Sequence, residues 1–176
     1  MKKKKKLTPK QLKERMKKIR LLLSDVDGVM TDGSLFYAEH GWTRTYHIHD
    51  GYGIKLLRKM GFPFGVITGG SSEELIERLK VLQIEHFVTG SEDKLTSLTE
   101  LSKKLKIPFD QIAYIGDDVF DIPALNGVGL SISVPNGIES VKAGVHYVTK
   151  RSGGQGAVRE VIDGIIEAQK MKLPTT

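Results

Sequence analysis

The feature that most constrains the fold is an alternation of short apolar runs with stretches of helical spacing. The runs are nearly continuous rather than strictly alternating, which is typical of strands buried on both faces of a parallel sheet. They predict strands over residues 19–23, 64–67, 86–88, 112–115, 128–134 and 146–148. We therefore expect an α/β protein with a doubly wound, Rossmann-like and mostly parallel sheet, with helices on both of its faces.

Three helical patterns accompany these strands. Hydroxyl and acidic residues at 71–74 resemble the start of a helix, and apolar residues follow on one face. A second helix is predicted from Leu95, Leu98, Leu101 and Leu105, with Pro108 as its stop. Residues 156–170 have the spacing of an amphipathic C-terminal helix.

One segment breaks the alternation. Residues 35–48 contain two strand-like runs around Glu39–Trp42, a pattern that predicts a β-hairpin. The hairpin would follow the first strand directly, at the edge where open parallel sheets bind ligands. We expect it to form a flap over that edge.

Charge is concentrated at the N-terminus. The net charge is +6, but residues 1–20 hold eleven Lys/Arg and one Glu, so residues 21–176 sum to −4. No aromatic residue lies among these lysines to stack on bases, which argues against nucleic-acid binding. We expect a disordered basic leader over 1–18, a single domain over 19–170 and a C-terminal tail over 171–176.

Several classes of protein are excluded by composition. The chain has no apolar run of about 18 residues, so we expect no membrane span. It has no cysteine, which excludes disulfides and thiolate metal sites. The first residues lack the apolar core of a secretory signal, so we expect a cytoplasmic protein.

Polar residues suited to chemistry come directly after the apolar runs or at the starts of helices. In an open parallel sheet the carboxyl ends of the strands share one edge, so residues far apart in sequence are expected to meet there. A single aspartate at such a place is more often a turn or helix cap, but the ordered combination is hard to explain as caps. The combination is Asp25, Asp27, Thr68, Lys94, Asp117, Asp118 and Asp121.

This set of residue types favours phosphoryl transfer. Carboxylates at one edge repel each other and raise one another's pKa, and Mg²⁺, which prefers carboxylate and carbonyl oxygens, removes that conflict. The ammonium of Lys94, the hydroxyl of Thr68 and the N–H groups of the Gly69-Gly70 turn would bind a phosphoryl group. Of the pair Asp25 and Asp27, one can attack phosphorus while the other reaches the leaving oxygen.

These residues resemble the four motifs of the haloacid dehalogenase-type phosphatase superfamily. The motifs are Asp25–Val29, Thr68, Lys94 and Gly116–Asp121, in the order of the superfamily, and the resemblance covers residues 19–170. It implies an enzyme that hydrolyses phosphate monoesters with Mg²⁺.

The resemblance also implies a role for each motif residue. Asp25 would be the nucleophile, and Asp27 the general acid and later the base that activates water. Thr68 and Lys94 would hold the phosphoryl oxygens. The implied ligands of Mg²⁺ are Asp25, the backbone carbonyl of Asp27, and Asp117, with Asp118 and Asp121 supporting them or their waters.

Within the superfamily, residues 49–54 and 153–160 are similar to the 3-deoxy-D-manno-octulosonate 8-phosphate phosphatases. That family releases phosphate from a sugar-acid phosphate in lipopolysaccharide biosynthesis and has no cap domain. The 43 positions from Asp25 to Thr68 and the 26 from there to Lys94 leave little room for one. Its members form tetramers in which the hairpin and a neighbour's tail close the site, so the resemblance implies a homotetramer here.

The resemblance implies a set of substrate-binding positions, although the chain differs from the family at several of them. Arginines that the family places before Asp50, at position 70 and at position 155 are His49, Gly70 and Gln155 here. Because arginine binds carboxylates through two bonds, these differences bear on which sugar acid is the substrate. The positions are Asp27, His47, Ile48, His49, Asp50, Gly51, Lys55, Gly70, Arg78 and Lys94.

Two of these positions are histidines. His47 and His49 are two residues apart, and on an extended segment they could share a face and bind substrate or metal. Surface histidines remain the alternative interpretation.

Alternative functions remain at this point. One is a capless phosphatase for another sugar-acid phosphate. A second is a phospho-aspartate receiver domain, which also places acids, a threonine and a lysine on a doubly wound sheet. Its order of motifs argues against it, because Lys94 precedes the strand of Asp117 instead of following it. A catalytically silent module is disfavoured because all four motifs are present.

Overall fold

The main sheet has six strands, all of which pair in parallel. The fold is taken from a computed structural model that describes residues 3–39 and 41–174. The strands are β1 Leu21–Ser24, β4 Phe64–Ile67, β5 His86–Val88, β6 Ile112–Ile115, β7 Leu130–Ser133 and β8 Tyr147–Val148. Their order is β5-β4-β1-β6-β7-β8, so β1 is central and the chain winds outward from it in both directions.

Seven helices cover the two faces of this sheet within the described residues. They are α1 Pro9–Met16, α2 Ile48–Lys59, α3 Glu73–Val81, α4 Lys94–Leu105, α5 Ile122–Gly127, α6 Glu139–Gly144 and α7 Ala157–Gln169. Successive side chains of β1 point to opposite faces. Leu22 therefore joins the apolar cluster under α1, α2, α3 and α7, whereas Leu21 and Leu23 join the one under α4, α5 and α6. The predicted fold class is confirmed.

The hairpin flap is also confirmed, but it is shorter than predicted. β2 (Phe36–Ala38) and β3 (Gly41–Thr43) pair in antiparallel register, and the residue between them, His40, lies outside the described residues. Helix α2 begins at Ile48 with His47 as its N-cap. The interpretation of His47 and His49 as neighbours on an extended segment is therefore wrong, because the chain has already turned into a helix.

Part of the N-terminal leader is a helix where we expected disorder. Thr8 and Gln11 form a capping box for α1: the Thr8 hydroxyl accepts from the Gln11 amide at 3.3 Å, and Gln11 Oε1 accepts from the Thr8 amide at 3.0 Å. Met16 is buried against Gly164 of α7. The expectation of a disordered 1–18 is therefore wrong for residues 9–16, because apolar side chains dock this helix onto the domain.

No helix among the described residues is both long and apolar enough to cross a membrane. Beyond α7, residues 171–174 form neither helix nor strand, and the last two residues of the predicted tail lie outside the described ranges.

Candidate active site

Asp25 and Lys94 form a buried ion pair at the carboxyl edge of the sheet. Asp25 comes directly after β1 and is 2% exposed, and Lys94 is the first residue of α4 and is fully buried. Asp25 Oδ1 accepts from Lys94 Nζ at 3.0 Å and from the Val26 amide at 2.7 Å. Lys94 Nζ also donates to the carbonyl of Ile67 at 2.7 Å, where β4 ends. The structure thus joins the first and third motifs, as their placement after parallel strands predicted.

Two further carboxylates lie beside this pair. Oxygens of Asp25, Asp117 and Asp121 all lie within 4.8 Å of one another. Burial, and then repulsion by Asp121, raises the pKa of Asp25 to about 7, although Lys94 opposes the shift. Burial, followed by the charges of Asp121 and Asp25, raises the pKa of Asp117 to about 8.

One oxygen of the carboxylate cluster indicates which kind of ligand the cluster would bind. Asp117 Oδ1 is buried and has no hydrogen-bond partner among the described residues. A buried polar atom without a partner costs free energy, and when Asp117 is ionised its neighbours Asp25 and Asp121 offer it only further acceptors. Hard oxygen donors of this kind fit a divalent cation such as Mg²⁺, which would remove both the repulsion and the unsatisfied oxygen.

Asp121 has a different role from its two neighbours. Its Oδ1 accepts from the Tyr114 hydroxyl at 2.6 Å, and its Oδ2 accepts from the amides of Asp117 and Asp118 at 3.0 and 3.2 Å. Asp118 caps the 3-10 turn that follows it. Since Asp121 accepts from three donors, it fixes the loop that carries Asp117, and its supporting role beside a metal stays a prediction.

A second loop fixes the backbone after Asp25. Gly28 has φ +82°, and a Cβ there would lie 2.1 Å from Asp117 Oδ2, so only glycine fits. Asn136 Nδ2 donates to the Gly28 carbonyl at 2.8 Å, and Asn136 Oδ1 accepts from the Gly153 amide at 2.7 Å. Sequence reasoning missed Asn136, although its position soon after β7 places it at the same edge of the sheet.

The side chain of the second aspartate of the first motif is bound by a residue of the flap rather than by Lys94. Asp27 is 40% exposed at its side chain and is bound by Arg44, which follows β3 of the flap. Asp27 Oδ1 accepts from Arg44 Nε at 2.6 Å, and Oδ2 accepts from Nη2 at 3.0 Å. Arg44 Nη1 donates to Ser72 Oγ at 2.9 Å and to Glu74 Oε2 at 3.2 Å. Sequence reasoning missed Arg44, because a lone arginine in a hairpin carries no motif.

The second motif differs in detail from the prediction. Thr68 follows β4 and is 1% exposed, and its amide donates to the carbonyl of Val88. The Gly70 amide donates to Thr68 Oγ1 at 3.1 Å, so it is already engaged and is not a free anion donor as predicted. Ser72 makes no side-chain cap bond to α3, because its hydroxyl accepts from Arg44 instead.

Two predicted substrate-binding residues serve the packing of helices. Asp50 is buried, and its Oδ1 accepts from the Arg159 amide in the first turn of α7 at 2.6 Å, where Gly156 offers no side-chain cap. A Cβ at Gly51 would lie 2.7 Å from Arg78 Nη2, so glycine allows that arginine to approach α2. These contacts explain Gly51 and Asp50 Oδ1, but Asp50 Oδ2 is buried with no hydrogen-bond partner among the described residues, and a substrate role for both residues stays a prediction.

The remaining predicted substrate-binding residues are on the outer part of α2 and on α3. The rings of His47 and His49 are 5.0 Å apart, edge to face. Arg78 lies over the ring of Tyr46 at 5.0 Å, so it is partly covered rather than fully solvated. Ile48 and Lys55 are exposed.

Comparison with known proteins places this site in a family. A family model described as haloacid dehalogenase-like hydrolase matches residues 82–162. The 3-deoxy-D-manno-octulosonate 8-phosphate phosphatase of Yersinia pestis is 41% identical over 157 residues, which are 89% of this chain and 84% of that protein.

Solved structures agree. A structure of the same-named phosphatase from Moraxella catarrhalis, in complex with a magnesium ion, a phosphate ion and a KDO molecule, is 41% identical, with a TM-score of 0.88. The alignment covers 93% of this chain and 94% of that one. A cobalt-bound deoxy-D-mannose-octulosonate 8-phosphate phosphatase from Haemophilus influenzae is 38% identical, with coverage of 89% and 92% and a TM-score of 0.85.

The alignment with the Moraxella phosphatase covers 93% of this chain at 41% identity, so the alternative of a receiver domain is set aside. Like the 3-deoxy-D-manno-octulosonate 8-phosphate phosphatases to which it is similar, the chain is a phosphatase and belongs to the haloacid dehalogenase-like hydrolases.

Proposed function

We propose that this phosphatase hydrolyses 3-deoxy-D-manno-octulosonate 8-phosphate to the free sugar acid and phosphate, a step in the formation of lipopolysaccharide precursors. The observation that carries the proposal is the buried Asp25–Lys94 pair beside Asp117 and Asp121. Relatives of that name at 38–41% identity support the substrate. The Moraxella complex with KDO and phosphate supports it further.

Asp25 is the nucleophile in this proposal. Its Oδ1 is held by Lys94 and by the Val26 amide, which leaves Oδ2 to attack phosphorus. The new bond joins Asp25 to phosphorus while the bond from phosphorus to the sugar oxygen breaks, and Asp27 donates a proton to that oxygen. Asp27 then takes a proton from water, which attacks the aspartyl-phosphate and releases phosphate.

Three other groups complete the site. Lys94 neutralises the phosphoryl oxygens, and the Thr68 hydroxyl donates to them and helps to orient them. Asp25, the carbonyl of Asp27 and Asp117 would hold Mg²⁺, which supplies positive charge for the phosphoryl group. Asp121 and Tyr114 keep Asp117 aimed at that position.

The carboxylate cluster makes stability depend on both pH and Mg²⁺. The pKa values of Asp25 and Asp117, about 7 and about 8, are raised from an ordinary 3.8, so the folded chain binds more protons than the unfolded chain between these limits. The free energy of unfolding without metal therefore falls as pH rises from about 4 to about 8. We expect the gain in melting temperature on adding Mg²⁺ to be larger at the top of that range. In Asp117→Asn this dependence should flatten, and an unchanged dependence would contradict the cluster as the metal site.

A panel of phosphate esters tests the substrate. We expect Mg²⁺-dependent release of phosphate from 3-deoxy-D-manno-octulosonate 8-phosphate, with kcat/KM at least about 100-fold above that for glucose 6-phosphate, which lacks a carboxylate. A nine-carbon sugar-acid phosphate is the comparison that distinguishes the alternative substrate, since the chain lacks arginines at His49, Gly70 and Gln155. Preference for the nine-carbon ester would overturn the named substrate but not the phosphatase.

We also propose a homotetramer assembled through the flap. Tyr37 and Trp42 are 76% and 59% exposed on the hairpin, with rings 5.3 Å apart, and Phe36 beside them is 51% exposed. Exposed apolar groups gathered in one place favour an interface. A monomeric mass by light scattering would contradict this assembly.

The cytoplasmic location stays a prediction.

A further inference from the structure

We propose that Arg44 is a positioning residue that holds Asp27 in place for proton transfer to the leaving group. The inference rests on the proposed function, in which Asp27 is the general acid. It assigns the flap a direct part in the chemistry through one side chain, rather than only a covering role.

The contact between the two side chains is bidentate. Arg44 donates through Nε and Nη2 to the two different oxygens of Asp27, at 2.6 and 3.0 Å. Two parallel bonds from a planar guanidinium fix both the position and the plane of a carboxylate, which a lysine ammonium cannot do. Asp27 has no other hydrogen-bond partner for its side chain among the described residues, and it is 40% exposed. Without Arg44 it would therefore rotate in water.

Arg44 is itself held rigidly. Its side chain is only 7% exposed, and Nη1 donates to Ser72 and Glu74 at the start of α3. The guanidinium thus connects the flap, the first motif and α3. Because Arg44 is itself held in place, it can keep the Asp27 carboxyl group in one orientation. That orientation matters because proton transfer depends steeply on the distance and angle to the accepting oxygen.

Gly70 provides the space in which the guanidinium lies. A Cβ at Gly70 would be 3.0 Å from Arg44 Nη2 and 3.5 Å from Asp27 Oδ2. A side chain at position 70 would therefore crowd the Arg44 guanidinium, while its Cβ would lie at ordinary contact distance from Asp27. Gly70 therefore leaves the room that the Arg44 side chain occupies in this chain.

The contacts argue against a different role, that of binding the substrate's carboxylate. Four of the five N–H groups of Arg44 already donate to Asp27, Ser72 and Glu74. A substrate carboxylate would have to break these bonds.

The test compares leaving groups. We would measure kcat/KM with saturating Mg²⁺ for wild type, Arg44→Lys and Arg44→Met on three esters: the sugar-acid phosphate, glucose 6-phosphate and p-nitrophenyl phosphate. The value of kcat/KM reports steps up to departure of the leaving group, and nitrophenolate departs without a proton whereas a sugar alkoxide needs one. We expect Arg44→Met to lose about 10- to 100-fold on both sugar esters and less than about 3-fold on p-nitrophenyl phosphate. Arg44→Lys should fall between wild type and Arg44→Met.

The controls separate this role from others. Arg58→Met removes an exposed arginine of α2 and should change none of the ratios. An equal loss on all three esters would mean that Arg44 only supports the fold, and a loss confined to the sugar acid would make it a substrate ligand. Either result, or no loss at all, overturns the proposal. If the wild-type enzyme cleaved glucose 6-phosphate and p-nitrophenyl phosphate but not the sugar-acid ester, the proposed substrate would be wrong. The ratio between the two cleaved esters would still test the role of Arg44.

Discussion

Replacing Asp25 with asparagine is expected to lower Mg²⁺-dependent phosphate release on the order of 10⁴-fold or more, as loss of an enzyme's nucleophile does. The amide retains the size of the side chain and an oxygen that can accept from Lys94, so the site stays packed. It removes a charge that burial and Asp121 disfavour, which is why the pKa of Asp25 lies near 7. We therefore expect the metal-free variant to be at least as stable as wild type at about pH 8.

A matched control lies in the same segment. Asp32 is exposed, and its Oδ1 accepts only from the Ser34 amide among the described residues. Asp32→Asn should leave turnover unchanged. Steady-state release of phosphate and thermal unfolding of the two variants measure both effects. Retention of wild-type turnover in Asp25→Asn would show that the nucleophile is another residue.

Lys94→Met is expected to have the largest combined effect on activity and stability. Lys94 is fully buried, and its Nζ holds Asp25 at 3.0 Å and the Ile67 carbonyl at 2.7 Å. Without this cation, Asp25 would face Asp117 and Asp121 unpaired. Removal of one partner of a buried ion pair costs about 3–5 kcal/mol, and loss of a donor to the phosphoryl group costs about 10²–10³-fold in kcat.

Mg²⁺ distinguishes the two parts of this prediction. Added metal should recover some of the lost stability, because it neutralises the same carboxylates, but it should not recover turnover, since the ammonium that holds the phosphoryl oxygen is gone. Lys103→Met, on the exposed face of the same helix, is the control and should change neither quantity. Full activity with added Mg²⁺ would contradict the role of Lys94.

The parts of the fold with a clear apolar pattern, either a continuous run or helical spacing, were predicted from the sequence. The six strands of the main sheet agree with their predicted bounds within two residues, because buried parallel strands are continuous apolar runs. Helix α2 was missed because Gly51 and Gly53 lower its helix propensity. Both glycines are explained only by tertiary contact, since a Cβ at Gly53 would lie 2.8 Å from the Arg159 side chain. Helices α5 and α6 are six residues long, too short to show a period.

The residues of the candidate site also include some that the sequence predicts and some that it does not. Asp25, Thr68, Lys94 and Asp117 were predictable because each follows a strand or begins a helix at one sheet edge. Arg44 and Asn136 were not, because each acts through the backbone or side chain of a motif residue that only the folded chain brings near. The predicted free amide of Gly70 was wrong for a local reason, because the Thr68 hydroxyl two residues earlier accepts from it.

The most direct test of the central claim is the covalent state of Asp25 during turnover. Asp27→Asn should slow hydrolysis of the aspartyl-phosphate more than its formation from p-nitrophenyl phosphate, so that the phospho-enzyme accumulates. Acid-quenched Asp27→Asn enzyme, digested and analysed by mass spectrometry, should then carry one phosphoryl group on the peptide with Asp25, and Asp25→Asn should carry none. A phosphoryl group on any other residue, or phosphate release in a pre-steady-state burst with no phosphorylated peptide, would contradict the claim.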